Sequence, residues 1–143
     1  MNKLQVFEKA ISYYGLKETL KSRHNPKVLK MVNKHQEFPI TKNIPWCAAF
    51  VNYVLDECGY QHSTMLTARS QSKIGKSVKE PELGDVVILW RGRPDSWKGH
   101  TGFFVRETEN LIYILGGNQD NSVCIKPYSK SRLLSYRSIT KKK

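Results

Sequence analysis

The sequence predicts an α+β domain in which N-terminal helices pack on an antiparallel sheet and one helix begins at a cysteine. Three stretches carry that prediction. Pro45-Trp46-Cys47-Ala48-Ala49-Phe50-Val51 opens a helical apolar pattern. Gly99-His100-Thr101-Gly102-Phe103-Phe104 opens an apolar strand, and Gly116-Gly117-Asn118-Gln119 closes another.

The first element is a helix. Leu4, Phe7, Ile11 and Tyr14 fall at helical spacing, and Gly15 follows as a stop. Residues 17–43 are the most polar part of the chain and include His24-Asn25-Pro26 and Phe38-Pro39. They read as a loop-rich connection with one short helix from Lys27 to Lys34. The next helix follows Pro45, which suits a first turn because its missing N–H costs nothing there. Phe50, Val51, Val54, Leu55 and Cys58 make its apolar stripe, and Gly59 stands just past its end. Cys47 falls in the first turn on the stripe side. The positive end of the helix dipole favours a thiolate at that place. A small buried apolar residue would suit it equally.

The strands follow. Asp85 to Trp90 is a near-continuous apolar run, expected of a central strand buried on both faces. Arg91 to Lys98 is a basic loop, and its Trp97 either lines a cleft or covers the core. Thr101–Val105 and Leu111–Leu115 are apolar and β-prone, with the polar turn 106–110 between them, so they form a hairpin. A loop over residues 108–110 pairs Glu107 with Leu111 and places His100 opposite Asn118. Their Cβ atoms would then be roughly 4.5–5.5 Å apart. A one-residue slip would send the two side chains to opposite faces, and Gly116-Gly117 is a place for a bulge. Val123 to Ile125 forms a late strand. Lys141-Lys142-Lys143 is a solvated tail.

Cys47, His100 and Asn118, in that chain order, make up the set of a papain-like thiol hydrolase. The imidazole would take the thiol proton, and the amide would accept from its other nitrogen. Each residue also has an ordinary structural reading, with His100 as a satisfied strand-end histidine and Asn118 as a turn residue. Three cysteines with no Cys-x-x-Cys exclude a zinc ribbon. Cys58 and Cys124 are expected to be buried and inert. His24, His35 and His62 lack ligand-like spacing and are expected at the surface, so no metal site is expected.

The chain has 143 residues, 39% of them hydrophobic, enough for one domain with a core. No repeat interrupts it. No segment is long enough to span a membrane, and the N-terminus lacks the apolar core of a secretory signal. The net charge of +12 calls for an anionic partner. The basic residues are scattered and no nucleic-acid-binding motif occurs, so a nucleic-acid-binding module is the rival reading rather than the favoured one.

The chain resembles the NlpC/P60 and CHAP superfamily of peptidoglycan amidases and peptidases, in particular a small single-domain bacterial and phage group within it. The shared pattern comprises residues 45–52, Ala68-Arg69-Ser70, residues 81–87, Trp97-Lys98-Gly99-His100-Thr101-Gly102-Phe103, Gly116-Gly117-Asn118-Gln119 and residues 130–134. It runs from about Ile11 to Arg137. The departures are Gln71, where the group commonly has tryptophan, and Asn118, where many members carry an acidic residue or histidine.

The resemblance implies a papain-like NlpC/P60 fold with Cys47 as nucleophile, His100 as base and Asn118 as the orienting residue. It also brings forward Trp46, Arg69, Trp97 and Gln119 as substrate contacts. It implies hydrolysis of a peptidoglycan amide, within the stem peptide or at the muramoyl–alanine bond, without a cofactor. Residues 1–143 would be one catalytic domain: helix and connection 1–44, core 45–137 and basic tail 138–143. The protein would be a monomer, made in the cytoplasm and acting at the wall or periplasm as a phage-type lysin or a delivered antibacterial toxin. An effector would bring an immunity protein with it. A papain-like transferase or deamidase acting on another protein is the enzymatic alternative.

Overall fold

The computed structural model describes residues 2–20, 23–36 and 45–143. Phe38-Pro39 and the end of the polar connection lie outside them. Helix α1 spans Lys3–Ile11 and begins with a capping box, Asn2 and Gln5 each accepting the other's backbone N–H. Its buried pair is Val6 and Ala10, with Phe7 and Ile11 partly covered. Leu4 and Tyr14 are exposed, contrary to the expected stripe, because the chain leaves the helix at Ser12 and the inward face is centred one position away. Strands β1 (Thr19–Leu20) and β2 (Arg23–His24) form a two-stranded ribbon. Helix α2, Pro26–Asn33, has Asn25 as its N-cap and proline in its first turn.

Helix α3, Cys47–Glu57, is buried on all sides through Leu55. Its surroundings explain this. α1 and α2 pack on one side of it, and the main sheet packs on the other. That sheet contains β3 (Lys76–Val78), β4 (Val86–Trp90), β5 (Gly99–Glu107), β6 (Leu111–Gln119), β7 (Ser122–Ser129) and β8 (Leu133–Ser138). The spatial order is β3-β8-β4-β5-β6-β7, with every pairing antiparallel.

The apolar run of β4 follows from its central place. Val86 and Ile88 join the core under α3, while Val87 and Leu89 join a second cluster with Phe104, Ile112, Ile114 and Tyr136 on the other face. Asp85 precedes β4 fully buried. It binds Lys3 Nζ at 2.9 Å and accepts from the backbone of Glu82 and Ile139. One carboxylate thus ties α1, β4 and the chain end together.

Asp56 performs a similar task at the end of α3. Lys142 and Lys34 reach it at 2.6 and 3.1 Å. Lys142 above all, and Lys34 after it, hold its carboxyl well below the usual carboxylate range, despite partial burial. A carboxyl depressed on folding stabilises the fold above its ordinary pKa, and that stability is lost as the pH falls below it. Asp56→Asn is therefore expected to cost about 1 kcal/mol at pH 7, since both lysines are partly solvated. Chemical denaturation should show the gap closing as the pH is lowered below about 3.8, the ordinary value. A gap that persists in acid would mean that the ion pairs contribute nothing.

Candidate active site

The site lies where α3 begins over the middle of the sheet. Cys47 is the first residue of α3, and Trp46 at the N-cap supplies no side-chain cap. The first N–H groups of the helix therefore have no internal acceptor. Phe50 N–H to Trp46 C=O, at 3.0 Å, opens the ladder. Cys47 is 5% exposed. Burial pushes its thiol up, more than the N–H groups of Thr101 and Ala48 pull it down. The resting side chain is a thiol, so the helix terminus alone does not produce the thiolate expected from the sequence.

His100 lies on β5, 8% exposed, and lines the same cavity as Cys47. Its Nε2 is 2.9 Å from Gln119 Oε1. The amide nitrogen of Gln119 donates to the carbonyls of Cys124, at 2.6 Å, and Ile114, at 3.2 Å. The glutamine is therefore locked with its oxygen toward the ring. An oxygen can only accept, so His100 carries its proton on Nε2 and leaves Nδ1 as the basic nitrogen. Tyr128 closes the network. Its hydroxyl donates to the same Oε1 at 3.1 Å, and its ring lies against the imidazole with centroids 5.1 Å apart. Burial lowers the pKa of His100 to about 4, against the opposing pull of Gln119, and Arg132 and Arg91 add to the lowering. Cys47 and His100 rest as a neutral pair.

The partner of His100 is thus Gln119, not Asn118, and the irregularity at the end of β6 explains the change. At the turn, Glu107 pairs with Ile112 rather than Leu111. A bulge between Phe104 and Arg106 absorbs the extra residue, so Phe103 pairs with Leu115 in the register expected from the sequence. A second irregularity follows between Gly116 and Gln119, where Asn118 takes a positive φ of 59°. It turns Gln119 to the imidazole and leaves Asn118 lining the cavity. Gly116 is needed for this, since a Cβ there would stand 2.8 Å from Gln119 Oε1. Gly117 is needed as well, because a Cβ would meet the Trp46 ring at 2.8 Å.

Two cavities open on either side of Cys47. The polar one, about 160 Å³, is lined by His100, Asn118, Tyr128, Arg91 and Arg132. The apolar one, about 300 Å³, is lined by Leu66, Thr67, Ala68 and Trp97, and shares Pro45, Arg91 and Gly99 with the first. Trp97 is 70% exposed at its rim. The other expected substrate contacts lie elsewhere. Trp46 is fully buried beneath Gly117. Arg69 donates to the carbonyls of Lys98, Pro94 and Arg93, so it clamps the loop before β5. Gln119 is 1% exposed and committed to His100. Sequence reasoning missed Tyr128, Arg91 and Arg132. Tyr128 and Arg132 come from distant positions that only the closing of the sheet brings in.

Cys58 is buried, Cys124 is partly covered, and all three cysteines are free thiols. His35 and His62 are not surface residues as expected. They stack at 4.6 Å, with Asp56 3.7 and 3.4 Å from their Nε2 atoms. Among the described residues these three form the one group whose ligand atoms, within 4.8 Å of one another, could share a cation. Lys34 and Lys142 already neutralise its carboxylate, and near-parallel rings do not aim both lone pairs at one point. No described helix is long and apolar enough to cross a membrane.

Comparison with known proteins agrees with this geometry. No curated protein matches the sequence. Among solved structures the chain is similar to NlpC1 from Trichomonas vaginalis, with a TM-score of 0.58 and 13% identity over 97% of this chain and 45% of that one. It is also similar to a lipoprotein-like NLP/P60 family protein from Staphylococcus aureus subsp. aureus Mu50, with a TM-score of 0.53 and 16% identity over 94% of this chain and 41% of that one. The chain spans less than half the length of either. These likenesses show a papain-like NlpC/P60 fold. The model of the CHAP domain matches residues 40–118, more than half of the sequence and including both Cys47 and His100. The chain belongs to the CHAP domain family, a family of peptidoglycan-hydrolase-type cysteine peptidases.

Proposed function

We propose that the chain is a cysteine hydrolase that cleaves an amide bond of bacterial peptidoglycan. The observation that carries this reading is the convergence of Cys47 and His100 on one cavity, with Gln119 holding the imidazole so that Nδ1 is free. In this reading Nδ1 takes the thiol proton and Sγ attacks the amide carbonyl carbon. The oxyanion is stabilised by the N–H groups at the start of α3, which have no acceptor within the helix. The C–N bond then breaks, and the imidazolium protonates the leaving amine. Water, activated by the same nitrogen, hydrolyses the thioester and regenerates the thiol.

Gln119 replaces Asn118 as the proposed orienting residue. Trp97 and the apolar cavity are the proposed seat of the uncharged part of the substrate. The net charge of +12 would concentrate the protein on an anionic wall, an attraction that weakens with salt. The same reading makes the protein a lysin or a delivered antibacterial effector, the latter with an immunity protein in its producer. Mass spectrometry of fragments from purified peptidoglycan tests it. New N-terminal amines within the stem define an endopeptidase. Release of whole stems from muramic acid defines an N-acetylmuramoyl-L-alanine amidase. Unchanged peptidoglycan would overturn the proposal.

A further inference from the structure

The polar cavity holds more positive charge than the proposed chemistry uses. Arg91 and Arg132 both line it, and neither guanidinium is in an ion pair with a described carboxylate. The carboxylate of the adjacent β6–β7 turn, Asp120, is already bound by Lys126 at 3.0 Å. The other arginines nearby have structural partners. Arg69 is spent on three carbonyls and Arg93 faces Asp95. Arg132 is held in place differently. Its Nε donates to the Trp90 carbonyl at 3.0 Å, and its guanidinium lies 5.4 Å from the centre of the Tyr128 ring. That arrangement fixes one edge of the group and leaves the terminal nitrogens for a ligand.

We propose that Arg91 and Arg132 form a carboxylate subsite beside Cys47, which selects substrates bearing a free carboxylate on a residue flanking the scissile amide. The inference rests on Cys47 being the nucleophile and deepens that reading. The cavity, at about 160 Å³, takes a carboxylate-bearing side chain. The neighbouring apolar cavity shares Arg91 but lacks Arg132, so the two guanidinium groups come together on one side of the cysteine alone. The subsite also has a consequence for the base. The two arginines are among the groups that hold His100 below its ordinary value. A bound carboxylate offsets them and strengthens the base when the correct substrate is in place. A neutral amide at that position leaves both guanidinium groups uncompensated.

The test has two arms. In the first, Cys47 is alkylated at neutral pH with iodoacetate or iodoacetamide, reagents of similar size that differ in charge, and labelling at Cys47 is followed by peptide mass spectrometry. The iodoacetate-to-iodoacetamide rate ratio at Cys47 should exceed that of free cysteine by about tenfold. It should fall toward the free value in Arg132→Gln and Arg91→Gln, and further in Arg91→Glu. Arg91 is exposed and its side chain makes no hydrogen bond among the described residues, so its variants report even if Arg132→Gln disturbs folding. A ratio equal to that of free cysteine, or one unmoved by the Arg91 variants, overturns the subsite.

In the second arm, peptidoglycan with free stem carboxylates is compared with the same material after chemical amidation. Faster cleavage of the free form, with the preference lost in Arg91→Gln, is the expected result. Equal cleavage overturns the subsite and leaves the hydrolase intact. If neither form is cleaved, the hydrolase reading fails, while the alkylation arm still decides whether an anion is attracted to Cys47.

Discussion

Cys47→Ala is expected to abolish peptidoglycan hydrolysis, and His100→Ala to lower it at least about 10²-fold. Cys47→Ala should fold because alanine is tolerated at a helix start, and His100→Ala should fold because the space it opens joins an existing cavity. The pH dependence follows from the protonation state of the resting pair. With the thiol pushed up by burial and the imidazole lowered to about 4, the resting pair is neutral. The imidazole is in its basic form at every pH above its own pKa. The acid limb of kcat/KM should therefore lie near pH 4, with activity sustained through neutrality. Attack then requires proton transfer within the complex rather than a standing thiolate. In His100→Ala that limb should vanish along with most of the rate, and alkylation of Cys47 near neutral pH should slow. Full wall cleavage by Cys47→Ala would remove the thiol mechanism. An acid limb between pH 6 and 7 would show that burial does not hold the imidazole below its ordinary value.

Much of this arrangement is legible from residue order. The stripe from Phe50 to Cys58 and the glycine after it mark α3, although its other face is buried as well, against α1 and α2. The unbroken run before Trp90 marks β4 because both faces of that strand meet a core. The hairpin of β5 and β6 is legible as two apolar strands, and the expected register holds at Phe103 and Phe104. Even counting fails further on, between Gly116 and Gln119, where the backbone turns Gln119 rather than Asn118 to the imidazole. Gly116-Gly117 marks the place, but not which of the next two side chains turns inward. β8 is illegible for another reason. It is half-exposed and polar in part, yet it sits between β3 and β4, a place decided by long-range pairing alone. Tyr128 and Arg132 arrive in the site through those same pairings. The inward face of α1 is not legible because Val6 and Ala10, which are buried, are less conspicuous than Leu4 and Tyr14, which are not.

Gln119→Ala is expected to reduce turnover on the order of 10²-fold, whereas Asn118→Gly should be nearly neutral. The contrast follows from backbone geometry. Asn118 stands at φ 59°, a conformation glycine adopts without strain. Its replacement keeps the turn that presents Gln119. Gln119 itself has a task that a smaller side chain cannot do. Its oxygen fixes the proton on Nε2, and its nitrogen anchors it to the carbonyls of Cys124 and Ile114. Without it the ring can place its proton on Nδ1, the nitrogen the thiol needs, and those two carbonyls lose their donor. The loss should appear mainly in kcat, with KM little changed, because Gln119 is buried away from both openings of the cleft. Gln119→Glu separates orientation from simple packing. A carboxylate accepts the same N–H and stabilises the imidazolium, so His100 titrates higher and the acid limb of kcat/KM moves up toward neutral pH. A residue that merely filled space would leave that limb where it was. Equal losses in Asn118→Gly and Gln119→Ala would return Asn118 to the site, and full activity in Gln119→Ala would leave His100 oriented by Tyr128 alone.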